Sequence, residues 1–203
     1  MLYRNYAQLA ADIHEWAHRL PPLAAICGVP RSGMVVASML ALRLNIHLVS
    51  LDALYRGERP WESPLRRNCP AKSGAILVLD DTVATGQRMR SIKSEIPPGL
   101  NVKYGAYYAA AQGIGEIDYY FRAVGNEPHL FEWCILHHWY NAKTLTDLDG
   151  VLCPDWPHLY EEDDLTDKYL HHLENVPALI RPSFRLGGIV TARLEKHRGR
   201  TSH

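Results

Sequence analysis

Four apolar residues, Ile76–Leu79, run directly into two consecutive carboxylates, Asp80 and Asp81. A turn of small residues, Thr82–Gly86, follows, and helical spacing resumes with Met89, Ile92 and Ile96. A short apolar run bounded in this way is a buried strand, and the acids sit at its C-terminal edge. Strand, tight turn and helix in immediate succession make the unit of an open parallel α/β sheet. Ligands of such sheets bind outside the carboxyl ends of the strands. The turn's amides and the positive end of the helix favour a phosphate. The carboxylates beside them accept hydrogen bonds from sugar hydroxyls or hold water around Mg²⁺. Phosphate, hydroxyls and metal together point to a phosphorylated sugar. As an exposed strand-end carboxylate, Asp81 is expected to contribute little to stability.

The flanking sequence repeats the alternation. Leu9, Ile13, Trp16 and Leu20 predict an amphipathic helix over about 5–20, stopped by Pro21-Pro22. Ala24–Cys27 reads as a strand, Gly33–Leu44 as a helix packed on a sheet, and Ile46–Leu51 as a second strand. Residues 52–72 are polar and proline-containing without periodicity, as in a functional lid or linker. The helix after the acid pair spans Gln87–Ile96 and ends at Pro97-Pro98-Gly99. Val102–Ala109 is a further strand, and two short strands, 118–124 and 130–136, flank a Gly125-Asn126 turn. The expected fold is α/β, a parallel sheet with helices on both faces and right-handed crossovers. Near Ala142 the pattern restarts: a strand at Thr144–Leu148, a helix near Leu165–Leu173, a strand at Gly188–Val190 and a basic helical stretch, Arg193–Arg200. This divides the chain into 1–141 and 142–203.

Composition narrows the function. The 203 residues carry 22 basic and 22 acidic side chains, so broad electrostatic capture of nucleic acid or of a membrane is not expected. The longest apolar stretches, Met34–Leu42 and Ala75–Leu79, fall well short of the ~20 residues of a membrane span. The N-terminus carries Arg4, Asp12 and Glu15 and no apolar signal core, which reads as cytoplasmic. Cys27, Cys69, Cys134 and Cys153 form no C-x-x-C pair and read as reduced thiols. His137-His138 and His171-His172 are adjacent pairs whose side chains diverge, a poor chelating arrangement.

The stretch Ile76–Arg88 resembles the phosphoribosyl-pyrophosphate (PRPP) motif of type I phosphoribosyltransferases: four apolar residues, two acids, two residues, a small residue, Thr-Gly. Gly28-Val29-Pro30-Arg31-Ser32-Gly33, about 50 residues earlier and again between strand and helix, matches the place of that family's pyrophosphate loop. The resemblance covers about 20–140. It implies transfer of ribose 5-phosphate from PRPP to a nitrogen base, with Mg²⁺ as cofactor. By it, Asp80 and Asp81 are catalytic and hold ribose hydroxyls and metal waters. Thr82, Ala84, Thr85, Gly86, Gln87 and Arg88 hold the 5′-phosphate, and Pro30, Arg31, Ser32 and Gly33 the pyrophosphate. Arg56, Arg59, Arg66, Arg67 and Lys72 are candidates to close over PRPP from a flexible loop. Two positions depart from the pattern. Ala84 stands where some members carry an acid that serves as base toward the nucleobase, which argues against close kinship with that purine-using branch. Arg88 replaces a frequent Thr and adds a charge to the phosphate loop. An acceptor hood drawing on Tyr107, Tyr108 and residues 118–140 is expected, with no acceptor fixed.

Leu145-Thr146-Asp147-Leu148-Asp149-Gly150 resembles motif I of the haloacid dehalogenase (HAD) superfamily, and Gly188–Arg193 its phosphate-binding motif II. The resemblance covers about 143–195 and implies Asp147 as nucleophile, Asp149 as acid/base, both as Mg²⁺ ligands, and Thr191 on phosphate. Lys196 lies too near Thr191 to be that family's lysine, and no acidic pair follows. An incomplete HAD-like segment, inactive alone, is therefore expected. Two further readings remain: a PRPP-binding regulator without catalysis, and a HAD-type phosphatase with the first domain as specificity module. Self-association to a homodimer is left open.

Overall fold

A computed structural model describes residues 2–59, 73–125, 127, 129–135, 138–157, 167–183 and 185–193. The chain divides into two compact units, Met1–Trp133 and Cys134–His203, a division ahead of the 141/142 boundary expected from sequence.

The first unit runs β1 (Leu2–Arg4), α1 (Tyr6–Ala17), β2 (Leu23–Gly28), α2 (Gly33–Leu44), β3 (His47–Val49), α3 (Leu51–Tyr55), β4 (Ala75–Val83), α4 (Gln87–Glu95), β5 (Val102–Ala109), β6 (Tyr119–Ala123) and β7 (His129–Phe131). Helix α1 starts where Asn5 and Gln8 close a capping box, each side chain accepting from the other's backbone N–H at 2.8 and 3.1 Å. It buries Leu9, Ile13 and Trp16, the stripe legible in the sequence. Among the described residues, β3-β2-β4-β5-β6 form one sheet in that order, every pair parallel.

Side-chain alternation sends successive residues to opposite faces. Cys27, Val78 and Ala106 join a core with Leu54 of α3 and Met89 and Ile92 of α4. Gly28 faces the other way, where a Cβ would lie 2.7 Å from the Met34 Cα and 2.9 Å from the Ala37 Cβ of α2. Helices thus cover both faces, as expected. Burial on both faces also explains why β2 is apolar throughout rather than alternating.

Four local expectations change. Strand β4 continues four residues past Leu79, because β5 keeps pairing with it through Asp80↔Ala106, Thr82↔Tyr108 and Val83↔Ala109. The two short strands after β5 do not pair with each other. Strand β6 extends the main sheet, whereas β7 pairs in parallel with β1, an N-terminal strand absent from the sequence reading. Helix α3 occupies the start of the segment read as a loop, capped by Ser50, whose hydroxyl accepts from the Ala53 N–H at 3.2 Å. Its five residues are too few to show a helical period.

The second unit contains β8 (Leu145–Asp147) and β9 (Gly188–Val190), parallel to each other, and α5 (Asp167–Asn175), which buries Tyr169 and Leu173. Both strands and the helix lie close to their expected places; Leu165 and most of the basic stretch Arg193–Arg200 fall outside the described residues. Among the described residues no helix is long and apolar enough to cross a membrane.

Candidate active site

The extra length of β4 sets the character of the site. Asp80 and Asp81 stand within the paired strand and are 8% and 7% exposed, not at a solvated rim. The expectation of an exposed strand-end carboxylate is corrected by this burial. Asp80 Oδ1 accepts from the Asp81 backbone N–H at 2.9 Å. Burial first, and the charge of Asp81 second, push the Asp80 carboxyl up to about 7. Gly33 makes the arrangement possible. A Cβ there would lie 2.8 Å from Asp80 Oδ1 and 2.9 Å from the Leu79 carbonyl oxygen, so only glycine lets α2 begin against this strand end.

Beyond Val83 the chain turns through Ala84, Thr85 and Gly86 into α4. Gly86 has φ +74°, in the left-handed region, and a Cβ there would lie 2.5 Å from Glu116 Cγ. Glu116 supports the turn from behind, pairing with Arg90 at 2.9 Å and Lys93 at 3.3 Å. Gly86, the residue that opens α4, has no side chain to cap it, and the Gln87 N–H reaches Thr85 Oγ1 at 3.4 Å. The next N–H groups are donors without an intrahelical partner, as at the start of every helix. Arg88 donates to the Pro30 carbonyl and so ties the start of α4 to the Pro30–Gly33 turn. The Val29 N–H donates to the Leu79 carbonyl at 2.9 Å, anchoring that turn to β4.

These elements enclose a pocket of about 290 Å³ lined by Ser32 and the continuous run Asp80–Met89. All eight residues expected from the β4–α4 motif therefore meet in one place. Of the other turn, Ser32 reaches the pocket and Gly33 lies beneath Asp80, while Pro30 and Arg31 are exposed beside it. Arg88 contacts the neighbouring turn, a second role beside the phosphate contact expected of it. Arg56 pairs with Glu58 at 2.6 Å, and Arg59 reaches the Gly99 carbonyl at 3.4 Å; neither lines the pocket. Arg66, Arg67 and Lys72 lie outside the described residues.

The expected hood is partly corrected. Tyr107 and Tyr108 are fully buried. Tyr107 donates to Asp12 and stacks on Phe121 at 5.5 Å, and the Tyr108 hydroxyl accepts from Arg4 Nε at 2.8 Å. They form the floor under the covering segment. The segment that does meet the site is β7 with Trp133. Trp133 Nε1–H donates to Asp81 Oδ2 at 3.2 Å, and His129 Nε2 lies 3.1 Å from Thr82 Oγ1. Trp133 stacks on Phe131 at 4.6 Å with planes 10° apart. Sequence reasoning included these residues in a broad range without singling them out. The signal was available: aromatic rings at 129, 131 and 133 alternate as one face of an extended segment.

In the second unit, Asp147 ends β8 and Asp149 follows it, and Thr191 and Arg193 follow β9. Asp149 Oδ2 accepts from the Thr191 hydroxyl at 2.9 Å, and Arg193 Nε lies 2.9 and 3.0 Å from its two oxygens. Burial alone would raise the Asp149 carboxyl, but the Arg193 and Thr191 hydrogen bonds outweigh it and hold it below the usual range. Asp147 and Asp149 share a pocket of about 210 Å³ with Asp155, His172 and Arg193. Sequence reasoning gave Thr191 a phosphate contact rather than this bond to Asp149, and missed Arg193 as the charge partner. Among the described residues no group of three or more His, Cys, Asp or Glu is placed to hold a metal.

No protein-family model matches the chain. Over 136 residues, 64% of this chain and 83% of the relative, it is 27% identical to a xanthine-guanine phosphoribosyltransferase of Desulfotalea psychrophila. It is 24% identical over 134 residues to the xanthine-guanine phosphoribosyltransferase of Chromohalobacter salexigens, covering 64% of this chain and 81% of the relative. Among solved structures it is similar to a purine phosphoribosyltransferase from Pyrococcus horikoshii, with 22% identity and a TM-score of 0.48 over 65% of this chain and 92% of that one.

Proposed function

We propose that this chain is a phosphoribosyltransferase that moves ribose 5-phosphate from PRPP to the ring nitrogen of a purine such as xanthine or guanine and releases pyrophosphate. The observation that carries this reading is the single pocket in which Asp80, Asp81, the 84–86 turn and the open end of α4 stand together with Ser32. The names of the relatives support the acceptor class, and their distance accommodates Ala84 in place of an acid. In this reading the amides of 84–88 and the Thr85 hydroxyl bind the 5′-phosphate, and the Pro30–Gly33 turn binds pyrophosphate. Asp80 and Asp81 accept from the ribose hydroxyls.

Two buried carboxylates side by side, one already pushed up to about 7, form a donor set that a divalent cation relieves. Asp80 and Asp81 would hold Mg²⁺ through its waters, and Mg²⁺ bound there supplies charge stabilisation to the departing pyrophosphate. Mg²⁺-PRPP at 100 times its Kd is expected to stabilise the chain by about 2.7 kcal/mol, seen as a rise in Tm. Pyrophosphate release with xanthine or guanine tests transfer itself. The absence of any shift, under conditions where a known phosphoribosyltransferase shifts, rejects the reading. A shift with no pyrophosphate release would leave binding alone.

Residues 142–203 we read as a HAD-like segment that is silent as a phosphatase. Its supposed acid/base, Asp149, is engaged on both oxygens by Arg193 and Thr191, so this carboxylate does not fit a Mg²⁺ ligand. Hydrolysis of a phosphomonoester such as p-nitrophenyl phosphate with Mg²⁺ is expected to be no faster than in the Asp147→Asn variant. Activity that disappears in the variant overturns this part of the reading.

A further inference from the structure

Thr82 lies on β4 immediately after the acid pair, half-buried, and lines the pocket. Its Oγ1 is 3.1 Å from His129 Nε2. On the other side of the imidazole, Nδ1 is 3.3 Å from the Glu127 carbonyl oxygen. A carbonyl only accepts, so Nδ1 carries the proton that faces it. The neutral ring then presents the Nε2 lone pair, and the Thr82 hydroxyl donates to it; the tautomer follows from this network. The ring is fixed on two sides, edge-on to Tyr108 at 5.5 Å and tilted against Phe131 at 5.4 Å. A hydroxyl aimed at a base, with the base oriented by a third group, is the geometry of proton transfer in activated hydroxyl sites.

The chemistry of the pocket calls for such a group. A ring nitrogen that attacks while carrying a hydrogen must lose that proton. Ala84, in the turn, offers no acceptor. Asp80 and Asp81, in the proposed reading, face the ribose and Mg²⁺. Thr82 is the next polar side chain along the same strand.

Resting on the transferase reading above, we propose that Thr82 and His129 form a proton relay that removes the acceptor's N–H proton during transfer. The nitrogen lone pair forms the bond to C1′ of the ribose as the C1′–O bond breaks, and that bonding pair leaves on pyrophosphate. The N–H proton passes to Thr82 Oγ1 while the Thr82 proton passes to His129 Nε2. The imidazolium then gives its proton to solvent. Thr82 is the group that touches the acceptor, and His129 acts through it.

The experiment uses the full chain with Mg²⁺-PRPP and guanine or xanthine. For His129→Ala, kcat is expected to fall by on the order of 10²–10⁴, the range of general-base catalysis, with the PRPP-induced rise in Tm retained. Added imidazole restores part of the rate, and substituted imidazoles restore more as their basicity increases. Thr82→Val shows a comparable fall that no azole relieves, because the missing link is the hydroxyl. An unchanged kcat in His129→Ala overturns the relay, as does a fall that no azole restores, which would mark the His129–Thr82 bond as a pin for the covering segment. If His129→Ala loses the PRPP shift through misfolding, Thr82→Val decides: an unchanged kcat there overturns the relay, and a fall supports it. A wild-type chain without a PRPP shift fails the transferase reading itself. A wild type that transfers at the same rate as both variants fails the relay alone.

Discussion

Asp81→Asn is expected to lower kcat/KM for PRPP by about 10²–10⁴-fold while the fold persists. Each charge-assisted hydrogen bond to a ribose hydroxyl contributes about 1.5–3 kcal/mol, and two of them correspond to about 3–6 kcal/mol of transition-state binding. The substitution keeps the shape of the side chain. The amide oxygen of asparagine still accepts from Trp133 Nε1–H, which in the wild type donates to Asp81 Oδ2 at 3.2 Å. The contact between the covering segment and the strand end is therefore retained. Removing a charge that is only 7% exposed adds no new buried ion. Circular dichroism should match the wild type and the urea midpoint should be equal or higher, because the neighbouring charge that helps raise the Asp80 carboxyl is gone, with turnover measured by pyrophosphate release. A variant that unfolds, or one that keeps wild-type turnover, would make Asp81 a structural residue of β4.

The parts of this site that lie on one continuous stretch were legible in the sequence. From Ile76 to Met89 the order of residue types dictates strand, acids, turn and helix, and local chain geometry alone brings Asp80 through Arg88 into one pocket. The Pro30–Gly33 turn was legible for the same reason, since Gly28 and Gly33 mark close approaches that the parallel sheet brings beside β4. What was not legible depends on pairing between distant segments. The length of β4 is set by β5, and with it the burial of Asp80 and Asp81. The covering segment depends on β1 pairing with β7 across more than a hundred residues, and neither three-residue strand has enough length for a period. Tyr107 and Tyr108 show the limit in the other direction. Their composition suits a ligand pocket, but Asp12 and Arg4, from the N-terminal segment, satisfy their hydroxyls and turn them into core.

The burial of the acid pair has a measurable consequence for stability. The Asp80 carboxyl is raised from 3.8 to about 7 by burial and by its neighbour's charge. A carboxyl whose pKa rises on folding favours its neutral form in the folded state. Between about pH 4 and 7 the folded chain holds a proton that the unfolded chain has released, so stability falls as pH increases across that window. Three units at about 1.4 kcal/mol each give a loss of about 4 kcal/mol, complete above pH 7. Asp80→Asn removes the ionisation and keeps an oxygen for the Asp81 N–H, which donates to Asp80 Oδ1 at 2.9 Å in the wild type. The ligand-free variant is therefore expected to be more stable than the wild type at pH 8, by up to about 4 kcal/mol, and equal to it near pH 4. Urea midpoints of both proteins at pH 4, 6 and 8 check this, with unchanged m-values showing that the same surface is exposed. Two parallel pH curves would mean that Asp80 is solvated and the site is not held under charge strain. The expected divergence would mean that the free enzyme keeps the Asp80 carboxylate in a place that disfavours its charge.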